Sequence, residues 1–277
     1  MQQLSSQDEA KRKARLASAT GVTYPTGYIF FRGAVAFLSS FFIKPVLYHN
    51  ERIPQPGGYT YKPSYYSRNG NSRVGDTKAF VIAANHGQVW DIPFIGMFRR
   101  GLIWVCKPQF CVYPALAWIN QRMGAVPVFR PNVDGNETKN SPERIKALQM
   151  ASYTPQELIP VVVRALKRGV PAIMFPEGSR VGTSTVEDAK YGASKVAFLS
   201  GCPILPIALV GCSKGDKVVR KGLLRRRVII GVVGELIYPE SYMHLESKTD
   251  RYSAMMTDWI ESINQLREEG AIYLDQF

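Results

Sequence analysis

Short apolar runs alternating with helical patterns predict an α/β protein: a single domain with a mixed, mostly parallel central sheet flanked by helices. Three observations carry this expectation. Six β-like runs follow one another at residues 80–84, 102–106, 126–128, 172–175, 204–210 and 228–233. Helical spacing occupies several of the gaps between them. The chain of 277 residues is 45% hydrophobic, enough for a sizeable core.

The N-terminal segment MQQLSSQDEAKRKARLASAT is polar and helix-prone, with a basic cluster at Lys11, Arg12, Lys13 and Arg15. It holds no apolar run of signal-peptide type before residue 28, so export is not expected. Residues 28–47, YIFFRGAVAFLSSFFIKPVL, are the most lipophilic stretch. Arg32, Lys44 and Pro45 leave only about a dozen uninterrupted uncharged residues, where a membrane span needs roughly 20. Beside the basic cluster, this stretch reads as lying in a membrane interface rather than crossing it. The expected organisation is an amphipathic, membrane-associating helical hairpin within residues 1–48, followed by the α/β domain over 49–277.

Residues 51–76 are rich in Tyr, Pro, Gly and Ser, with turn signals such as PGG and RNGNS, and predict a long loop. Within residues 155–168, Leu158, Ile159, Val162, Val163 and Leu166 recur at helical spacing and Gly169 follows as a stop. Residues 191–200 present Ala193, Val196, Ala197 and Leu199 before Gly201, a second helix leading into the strand at 204–210. Tyr252, Met256, Trp259, Ile263 and Leu266 form a core-packing stripe on a C-terminal helix. Residues 132–140 read as a flexible insertion.

The formal charge of +13, from 35 basic and 22 acidic residues, favours a polyanionic partner: nucleic acid, anionic lipid or a phosphorylated small molecule. The basic runs KRKAR and RKGLLRRR lack interleaved stacking aromatics, which disfavours nucleic acid. Cysteines 106, 111, 202 and 212 have no C-x-x-C spacing, and only three histidines accompany them. Free thiols in a reducing compartment are expected, and no metal site.

Chemistry concentrates in three segments. In FVIAANHGQVWD, residues 80–91, an apolar strand runs into Asn85-His86, and Asp91 stands five positions beyond the histidine. If His86 precedes a helix and Asp91 lies in its first turns, the carboxylate can accept from Nδ1–H and leave Nε2 free to take a proton from a hydroxyl. In MFPEGSR, residues 174–180, a strand ends in a turn carrying Glu177, Gly178 and Arg180, suited to a phosphate with adjacent hydroxyls. In GAVPVFR, residues 124–130, a short strand delivers Arg130 to its end, where loops of an α/β sheet build sites.

With CPILPI at 202–207, the segments NHGQVWD, GAVPVFR and FPEGSR stand in the order and rough spacing of the four motifs of the glycerophosphate and lysophosphatidate acyltransferase family, which residues 78–237 resemble. The resemblance implies direct acyl transfer from acyl-coenzyme A or acyl-carrier protein to a lysophospholipid, with no metal or bound cofactor. His86 would be the general base and Asp91 its orienter. Arg130, Glu177, Gly178, Ser179 and Arg180 would bind the glycerol phosphate with help from Lys107, and Pro206 would shape the acyl or acceptor channel. It further implies 1-acyl-sn-glycerol 3-phosphate as acceptor, the alternative being another lysophospholipid or a glycolipid sugar. The chain departs from the family at Ser179, where threonine is usual, at Val181, and in polar insertions near 58–75 and 131–155. A site on the cytoplasmic face of the cell membrane, against anionic lipid, is expected. Arg225, Arg226 and Arg227 could meet lipid headgroups, an acyl-carrier protein or coenzyme A phosphates, or form a solvated edge.

Overall fold

All six β-like runs become strands of one sheet, and their β-branched and aliphatic residues are buried on both faces, as a helix-covered parallel sheet requires. The computed structural model describes residues 4–19, 33–34, 36–54, 79–87, 91, 94, 102–131, 141–178 and 185–277. The strands are β1 (Ile43–Tyr48), β2 (Val81–Ala84), β3 (Ile103–Cys106), β4 (Ala125–Pro127), β5 (Ala172–Met174), β6 (Ile204–Val210), β7 (Arg220–Lys221) and β8 (Arg226–Val233). Their order across the sheet is β1-β8-β6-β2-β5-β3-β4, with β7 paired to β8. Strands β6, β2, β5, β3 and β4 run parallel; β8 is antiparallel to β6, and β1 is parallel to β8.

Helices among the described residues include α1 (Ser6–Ala19), α2 (Pro114–Arg122), α3 (Pro142–Met150), α4 (Pro155–Lys167), α5 (Gly192–Ser200) and α6 (Lys248–Asp275). Helix α4 starts at a capping box, with the Thr154 hydroxyl accepting from Glu157 N–H and the Glu157 carboxylate accepting from Thr154 N–H. Its Leu158, Val162 and Leu166 are buried, together with Ala193, Val196 and Ala197 of α5 and Met256, Trp259, Ile263 and Leu266 of α6. These cover the face of the sheet that includes Val81 and Ala83. Phe80, Ile82 and Ala84 belong to a second cluster with Phe94, Trp104 and Ile173 on the other face, as the two-residue strand period demands. The Trp259 indole N–H donates to Ala83 O at 3.0 Å, tying α6 to the middle of β2. Full burial of Trp259 and Phe80 stabilises the two layers by roughly 2–3 kcal/mol per side chain.

Several expectations need correction. Residues 43–48 are an edge strand, not the end of a helical hairpin, so the α/β unit begins before residue 49. Backbone pairing with β8 outweighs the interruption by Lys44 and Pro45, because Pro45 is tolerated on an edge strand. Arg12 does not share an exposed basic face with Lys11 and Lys13. Its side chain is buried, donating to Glu157, Glu9 and Ser152 O, and α1 packs on the domain through Leu16. Leu199 lies off the buried stripe of α5 and is half-exposed. Helices α2 (Pro114–Arg122) and α3 (Pro142–Met150) were not expected from the sequence. Residues 20–32 of the expected hairpin, most of the 51–76 loop and the 132–140 insertion lie outside the described residues.

Among the described residues no helix is long and apolar enough to cross a membrane. All four cysteines are free thiols.

Candidate active site

Because β6, β2, β5, β3 and β4 are parallel, the residues that follow them gather on one rim of the sheet. Asn85, His86 and Gly87 leave β2, Glu177 and Gly178 follow β5, Lys107 follows β3, Arg130 follows β4, and Gly211 to Ser213 follow β6.

Asn85 fixes the end of β2. Its buried side chain donates to Leu209 O at 3.0 Å and accepts from Leu209 N–H at 2.6 Å, binding β2 to β6 just before the histidine. His86 then projects with its Nδ1 2.9 Å from Asp91 Oδ2, and its ring stacks on Phe175 at 4.2 Å between centroids. The same Oδ2 accepts from Gly87 N–H at 2.8 Å, so one carboxylate oxygen sets both the imidazole and the backbone turn that carries it. Asp91 is fully buried, whereas the His86 side chain keeps 19% exposure. In the tautomer whose Nδ1–H donates to Asp91, Nε2 is the ring nitrogen that carries the free lone pair.

Glu177 closes the turn from the neighbouring strand, accepting from His86 N–H at 2.7 Å. Burial pushes its carboxyl above the usual carboxylate range, against the opposing pull of that hydrogen bond and of Arg267. Gly178, at φ +70°, adopts a left-handed conformation that costs a side-chain-bearing residue more. Its carbonyl accepts from Arg130 Nη1. The structure thus joins His86, Asp91 and Glu177 into one connected group, holds Arg130 against Gly178, and sets Lys107 at the same rim. Pro206 does not join them. It is buried inside β6 in register with Ala83, away from the strand's end, between β2 on one side and β8 on the other. Ser179 and Arg180 lie outside the described residues.

The model of the Acyltransferase family matches residues 47–210, more than half of the chain. The chain belongs to this acyltransferase family. It is 28% identical over 199 residues to the 1-acyl-sn-glycerol-3-phosphate acyltransferase of Bacillus subtilis, covering 71% of this chain and 83% of that one. It is 27% identical over 163 residues to the chloroplastic 1-acyl-sn-glycerol-3-phosphate acyltransferase LPAT1 of Arabidopsis thaliana and 23% identical over 158 residues to its Brassica napus counterpart BAT2. Those matches span 40% of the length of each plant protein. The crystal structure of the 1-acyl-sn-glycerophosphate acyltransferase from Thermotoga maritima shares the fold, with a TM-score of 0.51 at 16% identity over 85% of this chain and 79% of that one.

Three features of this acyltransferase site escape a reading by motif. Asn85 sits inside the motif, yet its anchoring role needs a partner strand 124 residues away. Phe175 looks like a strand residue until the histidine ring is found against it. Behind the rim, Asp216 Oδ2 accepts from the backbone N–H groups of Cys212 and Ser213, and its Oδ1 accepts from Arg267 at 2.9 Å, with both side chains buried. A Cβ on Gly87 would stand 2.5 Å from Ser213 Oγ, so the Asp216–Arg267 pair shapes the wall on which the His86 turn rests. The thiol of Cys212 donates to Leu209 O at 3.7 Å, and burial, with the Asp91 and Asp216 carboxylates nearby, pushes its pKa up. Asp216 and Arg267 lie beyond the family-matched span, and no local pattern announces that they meet.

Proposed function

We propose that this acyltransferase forms phosphatidate by moving an acyl chain from an acyl thioester to the free hydroxyl of 1-acyl-sn-glycerol 3-phosphate. The observation that carries the reading is the His86–Asp91 pair on a rim that also gathers Glu177, Arg130 and Lys107. The names of the bacterial and plant relatives point to the same acceptor.

In the proposed reaction, His86 Nε2 takes the proton of the acceptor hydroxyl as its oxygen attacks the thioester carbonyl. The buried Asp91 carboxylate balances the imidazolium that forms. The tetrahedral adduct collapses, the C–S bond breaks, and the imidazolium returns its proton to the departing thiolate. The acceptor itself is the nucleophile, so no acyl-enzyme forms and no cofactor is called on. Arg130, Arg180, Lys107 and Ser179 bind the glycerol phosphate, while Glu177 and Gly178 hold the turn between that phosphate and the base. The product has two acyl chains, too apolar to travel through water, which supports work on the cytoplasmic face of a membrane where thioester donors are made.

The test is thiol release from palmitoyl-coenzyme A, and from palmitoyl-acyl-carrier protein, with 1-acyl-sn-glycerol 3-phosphate or monoacylglycerol as acceptor. Release that needs the phosphorylated acceptor and disappears in His86→Ala is the expected result. Release with monoacylglycerol alone would sink the phosphate assignment. Release only with another lysophospholipid or a glycolipid would move the acceptor.

A further inference from the structure

The polarity of the sheet places a second feature beside the site rim. Strand β8 is antiparallel to β6, so it begins at the end where β6 finishes, with Ile230 opposite Val210 and Arg226 beyond it. Strand β1 is parallel to β8, with Ile43 in register with Arg227, so the residues before β1 also stand at this end. The β7–β8 turn and the segment 37–42 therefore lie on the same end of the sheet as His86.

The turn is tight, with Arg225 N–H donating to Gly222 O at 2.9 Å, and it holds two leucines out from the body of the protein. Leu223 is fully exposed and Leu224 58% exposed. Two adjacent leucines at a hairpin tip are unfavourable in water and contribute nothing to the core. The neighbouring segment adds Phe37, Leu38, Phe41 and Phe42, all exposed by 45% or more. It is joined to the hairpin through Arg227 N–H to Phe42 O at 2.9 Å and Arg226 Nη1 to Ser40 O at 3.3 Å. Exposed Arg220, Lys221 and Arg225 flank the leucines, and among the described residues none of the three forms an ion pair with a carboxylate.

We propose that the β7–β8 hairpin tip is a membrane-docking wedge: Leu223 and Leu224 enter the acyl region of an anionic bilayer while Arg220, Lys221 and Arg225 meet its phosphates. An apolar tip collared by cations complements a lipid surface in both layers, acyl chain and headgroup. An acidic protein would complement the cations and leave the leucines without a partner. Docked in this way, the sheet turns its catalytic rim toward the bilayer, and a lipid acceptor reaches His86 without crossing water. The proposal rests on the acyltransferase reading only for that consequence, since docking itself requires no turnover.

Partitioning is measured by flotation of the full chain with phosphatidylcholine vesicles, with and without phosphatidylglycerol, in the absence of donor and acceptor. The double variant Leu223→Ser/Leu224→Ser should bind both vesicle types more weakly, by about tenfold for each leucine that inserts. The triple variant Arg220→Gln/Lys221→Gln/Arg225→Gln should lose about fivefold per charge on anionic vesicles and little on neutral ones. All five side chains are exposed, so thermal midpoints should match wild type and show that the fold is intact. Wild-type partitioning by the leucine variant would overturn the proposal. So would tighter binding of wild type to acyl-carrier protein than to anionic vesicles, lost in the triple variant alone.

Discussion

Replacing Asp91 by Asn separates the charge of the buried carboxylate from its shape. In the wild type a single oxygen, Oδ2, lies 2.9 Å from His86 Nδ1 and 2.8 Å from Gly87 N. An asparagine carbonyl in the same place can still accept from Gly87, so the turn is preserved. What disappears is the negative charge that, in the proposed reaction, faces the imidazolium at the moment of proton transfer. At an effective dielectric near 20 and a separation of 3–4 Å, that attraction is worth about 4–6 kcal/mol. Part of it returns through the amide dipole, so a fall of about 10³ in kcat is expected, within the 10²–10⁴ range of a general base. The KM for the acceptor should stay within about twofold, because the lost interaction forms only as the base is protonated. The thermal midpoint should drop modestly, with about 1–3 kcal/mol lost from the altered buried hydrogen bonds. The assay is thiol release at saturating donor, alongside circular dichroism melting. A folded Asp91→Asn protein that keeps more than about a tenth of wild-type kcat would refute the general-base role.

Glu177→Gln keeps an acceptor for His86 N–H and removes a carboxyl that burial holds above its ordinary value. A raised carboxyl pKa favours the protonated folded state, so wild-type stability falls as pH rises through the unfolded value and toward the folded one; the variant should therefore melt relatively higher at pH 7 than at pH 4, read by calorimetry at both. Arg12→Met should cost about 3 kcal/mol, since it strands the carboxylates of Glu9 and Glu157 around a buried position, measured by urea denaturation. The hydrogen bond from Arg12 pulls Glu157 down to about 2, stability that is present above its ordinary value of 4.5 and lost as pH falls toward 2, so the same variant should flatten the acid limb of a melting-against-pH curve. Gly87→Ala brings a Cβ within 2.9 Å of the Ser213 backbone, and should cost about 1–3 kcal/mol and lower kcat by displacing the His86 turn; unchanged turnover and melting would contradict that packing.

The strand-rich α/β class was legible in the sequence alone, because apolar runs of three to seven residues alternating with 3.6-period stripes bury their faces as a sheet covered by helices. The sequence also determined which residues stand at strand ends. His86, Glu177, Gly178, Lys107 and Arg130 each follow an apolar run directly, and a parallel sheet brings such positions to a common rim. Local spacing further allowed Asp91 to reach His86, five positions away. Contacts between distant segments were a different matter. Residues 43–48 gave a membrane-like pattern because an edge strand with Lys and Pro has no period of its own; only the ladder with β8, some 180 residues later, made them a strand. Arg12 read as surface charge because its partner Glu157 lies 145 residues away, and a cation is buried only where such a partner waits. Pro206 lay within a recognisable motif, yet the register with Ala83 placed it inside the sheet. Asp216 and Arg267 carry no spacing signal, and their meeting behind the histidine turn was decided when α6 packed across β6 and β8. Local chemistry is written in neighbouring residues, while burial and charge pairing depend on which surfaces the whole fold brings together.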